Sequence, residues 1–327
     1  MSRIANIKRE LFCTLSFILD RAAAEFAPLQ GTLLINGFWR SGTTWVQEVL
    51  ARAYEAKTIF EPMAPSSQFP LQERIFGKEV PQAWREAYIP LSADDLGLED
   101  VRYLDKVFRG YNPTRSGFPY LCRKTYAECL SRRLVIKFVR AHCLLGFMSE
   151  RYGLTPVNIS RHPCAIVASF NNTDWSWYFS DVDLDRMYHR MDPYSDAVAE
   201  RDRDTIRQYG NAAPMIKISA LWALMERRVA DTPGVVSMRY EDLARDPRRR
   251  FVELAQRAGV TLQHPLETEN DSPVTVEGRK GVDIDARLNS WRHTLNDDEQ
   301  QVIRRVVEAI WPEGAEAWFG AEQESVQ

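Results

Sequence analysis

The sequence predicts an α/β fold: a central parallel sheet flanked by helices, of the P-loop-like kind. Three observations carry this expectation. Short apolar runs at 33–36, 134–139, 156–160 and 235–239 read as buried strands, with helical stretches between them. That alternation is the mark of a parallel sheet covered on both faces. The first run enters a turn bearing Gly37 and Gly42, then an amphipathic segment with Trp45, Val46, Val49 and Leu50. Three of the four runs end in turns rich in polar and charged residues, and such sheets bind ligands at the carboxyl ends of their strands.

The chain begins with Ile4, Ile7, Leu11, Leu15 and Ile18 at helical spacing, and Arg3, Lys8, Arg9 and Glu10 fall mostly on the other face. Residues 1–30 therefore read as an amphipathic docking helix. The apolar stretch from Leu11 to Leu19 is too short to span a bilayer. Its basic flank and Ala22-Ala23-Ala24 give it only a crude likeness to a secretion signal. Residues 31–318 read as one domain. Two irregular stretches interrupt it, near 64–125 and 171–212, and both suit a lid or an acceptor-binding surface. In the second, Trp175, Trp177 and Tyr178 are candidates for stacking on an acceptor or for covering core. Asp181, Asp183 and Asp185 read as a solvated acidic loop.

Composition narrows the function. A net charge of −3 over 327 residues offers no basic excess for non-specific nucleic-acid binding. The five cysteines (Cys13, Cys122, Cys129, Cys143 and Cys164) are odd in number and form no C-x-x-C pair. They read as buried thiols of a reducing compartment, with no metal site, and a cytoplasmic enzyme is expected.

The loop after the first strand is an anion site by construction, because free backbone N–H groups and a helix dipole converge there. Gly37 and Gly42 have the spacing of a P-loop, but Thr43 stands where a nucleotide triphosphatase has its lysine, and Thr44 follows. The cation of this loop is Arg40, three residues early. It is a phosphate cradle without the lysine for a β/γ-phosphate.

Arg40-Ser41-Gly42-Thr43-Thr44-Trp45 closely resembles the loop with which cytosolic and Golgi sulfotransferases bind 3′-phosphoadenosine 5′-phosphosulfate. A second element supports the resemblance. After the strand at 156–160 come Arg161, His162 and Pro163, with proline placed as a first helical residue, and Ser169 lies eight residues beyond Arg161. In sulfotransferases an Arg and a Ser at this spacing grip the cofactor's 3′-phosphate, and the arginine fork suits that group. The third element is Tyr240-Glu241-Asp242-Leu243, ahead of Asp246-Pro247 as a helix N-cap and first residue. The resemblance implies that Tyr240 contacts the adenine, and that Trp45 lies along it. Phe251, Leu254, Ala255 and Ala258 then face inward, with Gly259 as the stop. Near the end, Arg279-Lys280-Gly281 is similar to the turn that closes over the 3′-phosphate in cytosolic enzymes. Gly281 stands ten positions before Trp291, longer than that pattern, so Arg292 is an alternative. Asn296-Asp297-Asp298-Glu299 reads as a capping box opening a helix through Ile310.

The resemblance implies in-line transfer of a sulfuryl group to an acceptor hydroxyl, with Arg40 neutralising the leaving group and no metal required. Residues 41–45 would hold the 5′-phosphate. Two residues compete as base. Glu61, in Phe60-Glu61-Pro62, lies 21 residues after Arg40, similar to the Golgi carbohydrate branch; it could equally be a partner for Lys137 or Arg140. His142 follows the 134–139 strand, near where the cytosolic branch has its histidine, and has a near-neutral intrinsic pKa. The run from Leu134 to Arg140 also resembles the carbohydrate branch and favours Glu61, hence a saccharide, glycolipid or glycosylated metabolite as acceptor. The His142 alternative implies a phenol or small alcohol. The rival of another class is a P-loop nucleotide kinase, which would need a lysine at 43 and an acidic Mg²⁺ ligand.

Overall fold

The computed structural model describes residues 31–64, 93–113, 131–173, 179, 183–185, 196–268 and 283–320. Within these, five strands form one sheet: β1 (Gly31–Asn36), β2 (Lys57–Phe60), β3 (Arg133–Lys137), β4 (Val157–Ser160) and β5 (Val236–Arg239). Their order is β2-β3-β1-β4-β5, and every pairing is parallel. From β1 the chain goes to one side of the sheet for β2 and β3 and to the other for β4 and β5. The crevice between the carboxyl ends of β1 and β4 is therefore the switch point, where open parallel sheets bind ligands.

Strand alternation sends side chains to opposite faces, and two hydrophobic cores result. Leu33, Ile35, Val135, Val157, Ile159, Val236 and Met238 pack with α1 (Thr43–Tyr54). Leu34, Ile59, Leu134 and Ile136 join the other core, which holds α2 (Leu98–Phe108) and α3 (Leu145–Tyr152). It also holds α4 (Pro163–Asn171) and α6 (Pro214–Ala230), which follows α5 (Asp196–Tyr209). Beyond β5 come α7 (Tyr240–Arg245) and α8 (Pro247–Arg257), then α9 (Ile284–Leu288), α10 (Trp291–Thr294), α11 (Asp297–Ile310) and α12 (Pro312–Phe319). Phe251, Leu254, Ala255 and Ala258 are buried in the α1 core.

The predicted caps hold. Pro163 opens α4, the Asp246 side chain accepts from the backbone of Arg249, and Asn296 and Glu299 form a capping box at α11. Each of the four expected strands differs at a boundary by one or two residues, and a fifth strand is added. β3 stops at Lys137 rather than Val139, with Phe138 N–H still donating to the Ile35 carbonyl (2.8 Å) near the end of β1. β2 was not foreseen. It has four residues, one a lysine, and is held in part by Gln47 of α1, whose side-chain amide donates to the carbonyls of Ile59 and Val135 (2.9 Å each).

The expected N-terminal helix, most of the 64–125 insertion, Trp175, Trp177, Tyr178, Asp181 and three cysteines (Cys13, Cys122 and Cys129) lie outside the described residues. Of the 171–212 stretch, Phe179 is buried edge-on against Trp39 and Phe170. Among the described residues no helix is long and apolar enough to cross a membrane.

Candidate active site

The loop from β1 to α1 passes so close to β4 that a Cβ on Gly37 would lie 2.5 Å from the Ile159 carbonyl. Gly42 caps α1 at φ +84°, and a Cβ there would lie 2.4 Å from the Tyr240 ring. Both glycines are thus required by contact, and Gly42 by its dihedral as well. Arg40 between them also has positive φ (67°), as does Glu61 (42°). Non-glycine residues in this region concentrate where function holds the backbone in place. Substituting alanine for Gly42 is expected to cost about 1–3 kcal/mol of stability and to push Tyr240 off the loop. Thermal melting and nucleotide titration of Gly42→Ala would read both.

The residues predicted from three separate stretches meet here. Arg40 Nε donates to Ser169 Oγ at 2.9 Å, and Arg161 Nη1 donates to the Arg40 carbonyl at 2.8 Å. The Arg161 guanidinium lies 4.8 Å from the centroid of the Tyr240 ring, a cation–π contact. Tyr240 in turn meets the Trp45 indole edge-on at 5.8 Å. Trp45 is 9% exposed and packs edge-on against Phe251 at 5.1 Å, so most of its surface serves the α1 core. Thr43 and Thr44 are buried at the helix start.

Donors remain at this cradle. Ser41 Oγ and Arg161 Nε are buried with no hydrogen-bond partner among the described residues. Unsatisfied buried donors beside a helix N-terminus fit a phosphate or sulfate group. The donor set of Arg40, Ser41, Arg161 and Ser169 suits an anion with more than one such group.

A second cluster sits one strand away. Lys137 ends β3, and its Nζ lies 3.3 Å from Thr44 Oγ1 and 2.8 Å from Glu61 Oε1. Arg140 Nη1 donates to Glu61 Oε2 at 2.9 Å. The Glu61 turn is anchored by its own N–H to the Lys137 carbonyl (2.8 Å) and by the Tyr103 hydroxyl to the Pro62 carbonyl (2.5 Å). Burial pushes the Glu61 carboxyl up, but the charges and hydrogen bonds of Lys137 and Arg140 together outweigh it and hold its pKa below 4.5. Burial also lowers the Lys137 pKa, against the pull of Glu61. Sequence reasoning cast Lys137 only as a partner for Glu61. Its bridge to the anion loop depends on the β1–β3 register, which pairs Ile35 with Lys137.

His142 lies elsewhere in character. It opens a 3-10 turn, is fully buried 6.4 Å from the Phe38 ring, and burial pushes its pKa down to about 3. Arg279, Lys280 and Gly281 lie outside the described residues. Arg292 stands over the Trp291 ring at 4.5 Å, and Trp291 stacks on His162 at 4.6 Å, beside Arg161. The N–H of His162 donates to the Glu241 carboxylate at 3.0 Å, which ties the Arg161 turn to the turn carrying Tyr240. The sequence named neither link.

Comparison with protein-family models finds no match, and comparison with curated proteins finds none either. Among solved structures, a sulfotransferase from Alicyclobacillus acidocaldarius is similar over 86% of this chain and 96% of its own, at 15% identity and TM-score 0.34. The sulfotransferase domain of the curacin biosynthetic pathway is similar over 86% and 98%, at 15% identity and TM-score 0.41. Retinol dehydratase in a complex with retinol and PAP is similar over 90% and 85%, at 15% identity and TM-score 0.39. Such distant likenesses leave the functional reading to the residues of the site.

Proposed function

We propose that the chain is a sulfotransferase that moves the sulfuryl group of 3′-phosphoadenosine 5′-phosphosulfate to an acceptor hydroxyl. The observation that carries this reading is the meeting of Arg40, Arg161 and Ser169 at a glycine-bound helix N-terminus, where Ser41 Oγ and Arg161 Nε have no hydrogen-bond partner among the described residues. In this reading residues 41–45 hold the 5′-phosphate, and Arg161 with Ser169 holds the 3′-phosphate, completed by Arg279 and Lys280 or by Arg292. Tyr240 and Trp45 border the adenine.

The S–O bond to the nucleotide phosphate breaks as one forms to the acceptor oxygen. Charge then grows on the leaving bridging oxygen, where Arg40 and Lys137 neutralise it. Glu61, ionised at neutral pH by its two cations, takes the acceptor's proton. A buried imidazole held neutral down to about pH 3 has no exposed face to offer an acceptor, which favours Glu61 over His142. Following the Glu61 reading, the acceptor is a saccharide, glycolipid or glycosylated metabolite; the odd cysteine count with no C-x-x-C pair supports a cytoplasmic enzyme. The kinase alternative lacks support: β3 ends in a lysine, and the nearby carboxylate is held by two cations.

Calorimetric titration with 3′-phosphoadenosine 5′-phosphate, with 5′-AMP and Mg-ATP as controls, tests the reading. Preference for the bisphosphate is expected. Preference for Mg-ATP, or indifference to the 3′-phosphate, would overturn it.

A further inference from the structure

On the α6 face of the sheet, the ends of the two central strands are polar where a covered parallel sheet is ordinarily apolar. Asn36 and Asn158 are register neighbours, both fully buried. Asn36 Nδ2 donates to Asn158 Oδ1 at 2.8 Å, and Asn158 Nδ2 donates to Glu226 Oε2 at 3.0 Å. Glu226 is carried by α6 and is 4% exposed; Ser160 also bonds its carboxyl. Asn36 immediately precedes Gly37 of the anion loop, and Ser160 immediately precedes Arg161. The Asn36–Asn158 bond thus joins the roots of both loops, and the Glu226 carboxyl holds the Asn158 amide in the orientation that makes it.

We propose that Glu226 is a positioning residue for the nucleotide site: acting through Asn158, its neutral carboxyl holds the ends of β1 and β4 at the spacing the two loops need, and ionisation releases that hold. This rests on the nucleotide-binding reading above.

Two observations support it besides the bridge. The approach of Gly37 to the Ile159 carbonyl leaves no slack between the loop and β4, so a shift of either strand end moves the cradle. The bridge also lacks donors. Glu226 Oε1 and Asn36 Oδ1 are buried with no hydrogen-bond partner among the described residues. A proton makes the Glu226 carboxyl a donor as well as an acceptor, which suits such a site better than a bare charge does.

Two side-chain donors reach the Glu226 carboxyl, but no cation among the described residues offsets a negative charge there. Titratable groups on the packed elements are Cys164 of α4, His142 and Cys143 of the 3-10 turn, and Asp202, Arg203, Asp204, Arg207 and Tyr209 of α5. The far helices add Asp297, Asp298, Glu299, Arg304, Arg305 and Glu308 of α11, and Glu313 and Glu316 of α12. Lys217, Arg227 and Arg228 share α6 itself, with Arg227 committed to Asp202 and to the Ile310 carbonyl. Among the described residues none exerts a charge effect on Glu226. Burial pushes its pKa up to about 8, and the bonds from Asn158 and Ser160 only moderate the rise.

The test compares wild type, Glu226→Gln and Glu226→Leu between pH 6.5 and 9.5, by calorimetric titration with 3′-phosphoadenosine 5′-phosphate and by thermal melting. Gln keeps the shape and donor of the neutral acid and cannot ionise. Wild-type affinity is expected to fall by about tenfold, within the usual range of coupling between sites, as pH rises through about 8. Glu226→Gln should bind equally well across the range. Glu226→Leu, which cannot bridge, should bind about tenfold more weakly at every pH; if it does not fold, the Gln variant carries the test alone. Coincident pH profiles for wild type and Glu226→Gln would overturn the role of Glu226 and leave the nucleotide reading standing. A wild type that binds no bisphosphate at pH 7 would overturn that reading and this role with it.

Discussion

Replacing Arg161 with alanine is expected to weaken binding of 3′-phosphoadenosine 5′-phosphate by about a hundredfold or more while changing 5′-AMP binding far less. The magnitude follows from losing charge-assisted hydrogen bonds of about 1.5–3 kcal/mol each, at about 1.4 kcal/mol per tenfold. The side chain is already arranged to receive an anion. Its Nη1 is held by the Arg40 carbonyl, its face by the Tyr240 ring, and its Nε has no partner among the described residues. Pre-positioned donors give up little freedom on binding, so the loss should be large. Arg161→Lys, which keeps the charge without the fork, should fall between the two. Equal weakening of both nucleotides would instead mean that Arg161 acts only as a brace for the Arg40 loop.

Much of the fold was legible because its signals are local. Buried strands of four to six residues announce themselves as apolar runs, and Pro163, Asp246 and Asn296 mark helix starts by chemistry that needs no tertiary partner. β2 was missed for the converse reason. Lys57-Thr58-Ile59-Phe60 has no run and no alternation of its own, and becomes a strand by pairing with β3. The site divides in the same way. The Arg40 loop, the Arg161–Ser169 pair and Tyr240 were readable as motifs, and the switch point explains why three stretches so far apart in sequence come together.

What escaped was the wiring between motifs. The Glu241 bond to the His162 N–H and the stack of Trp291 on His162 couple residues about 80 and 130 positions apart, and nothing in local sequence pairs them. The polar bridge from Asn36 to Glu226 was likewise invisible, because an asparagine at a strand end reads as a turn signal until its partner is known. His142 poses the converse problem. Its intrinsic pKa recommended it as a base, whereas burial decides what that pKa becomes.

The base assignment gives the other large effect. Glu61→Gln is expected to lower kcat by about 10²–10⁴-fold, the usual reach of general-base catalysis, while the affinity for 3′-phosphoadenosine 5′-phosphate stays within a few-fold. Lys137→Ala should lower kcat by about 10²–10³-fold, since the ammonium links Thr44 on the anion loop to Glu61, the base in the proposed reading. The pH dependence has a definite sign. The Glu61 pKa is held below the ordinary glutamate value by its two cations, so the carboxylate is ionised throughout the neutral range, as the proposed base must be. Its ion pairs stabilise the fold above pH 4.5, and that stability is lost as pH falls through the lower folded value. The acid limb of kcat/KM in wild type should therefore lie below the ordinary glutamate range and disappear in the low residual rate of Glu61→Gln. His142→Gln, by contrast, should lower the melting temperature while leaving that limb in place. If turnover instead survives in Glu61→Gln and collapses in a folded His142→Gln, Glu61 is a structural partner of Lys137 and Arg140, and the saccharide reading of the acceptor goes with it.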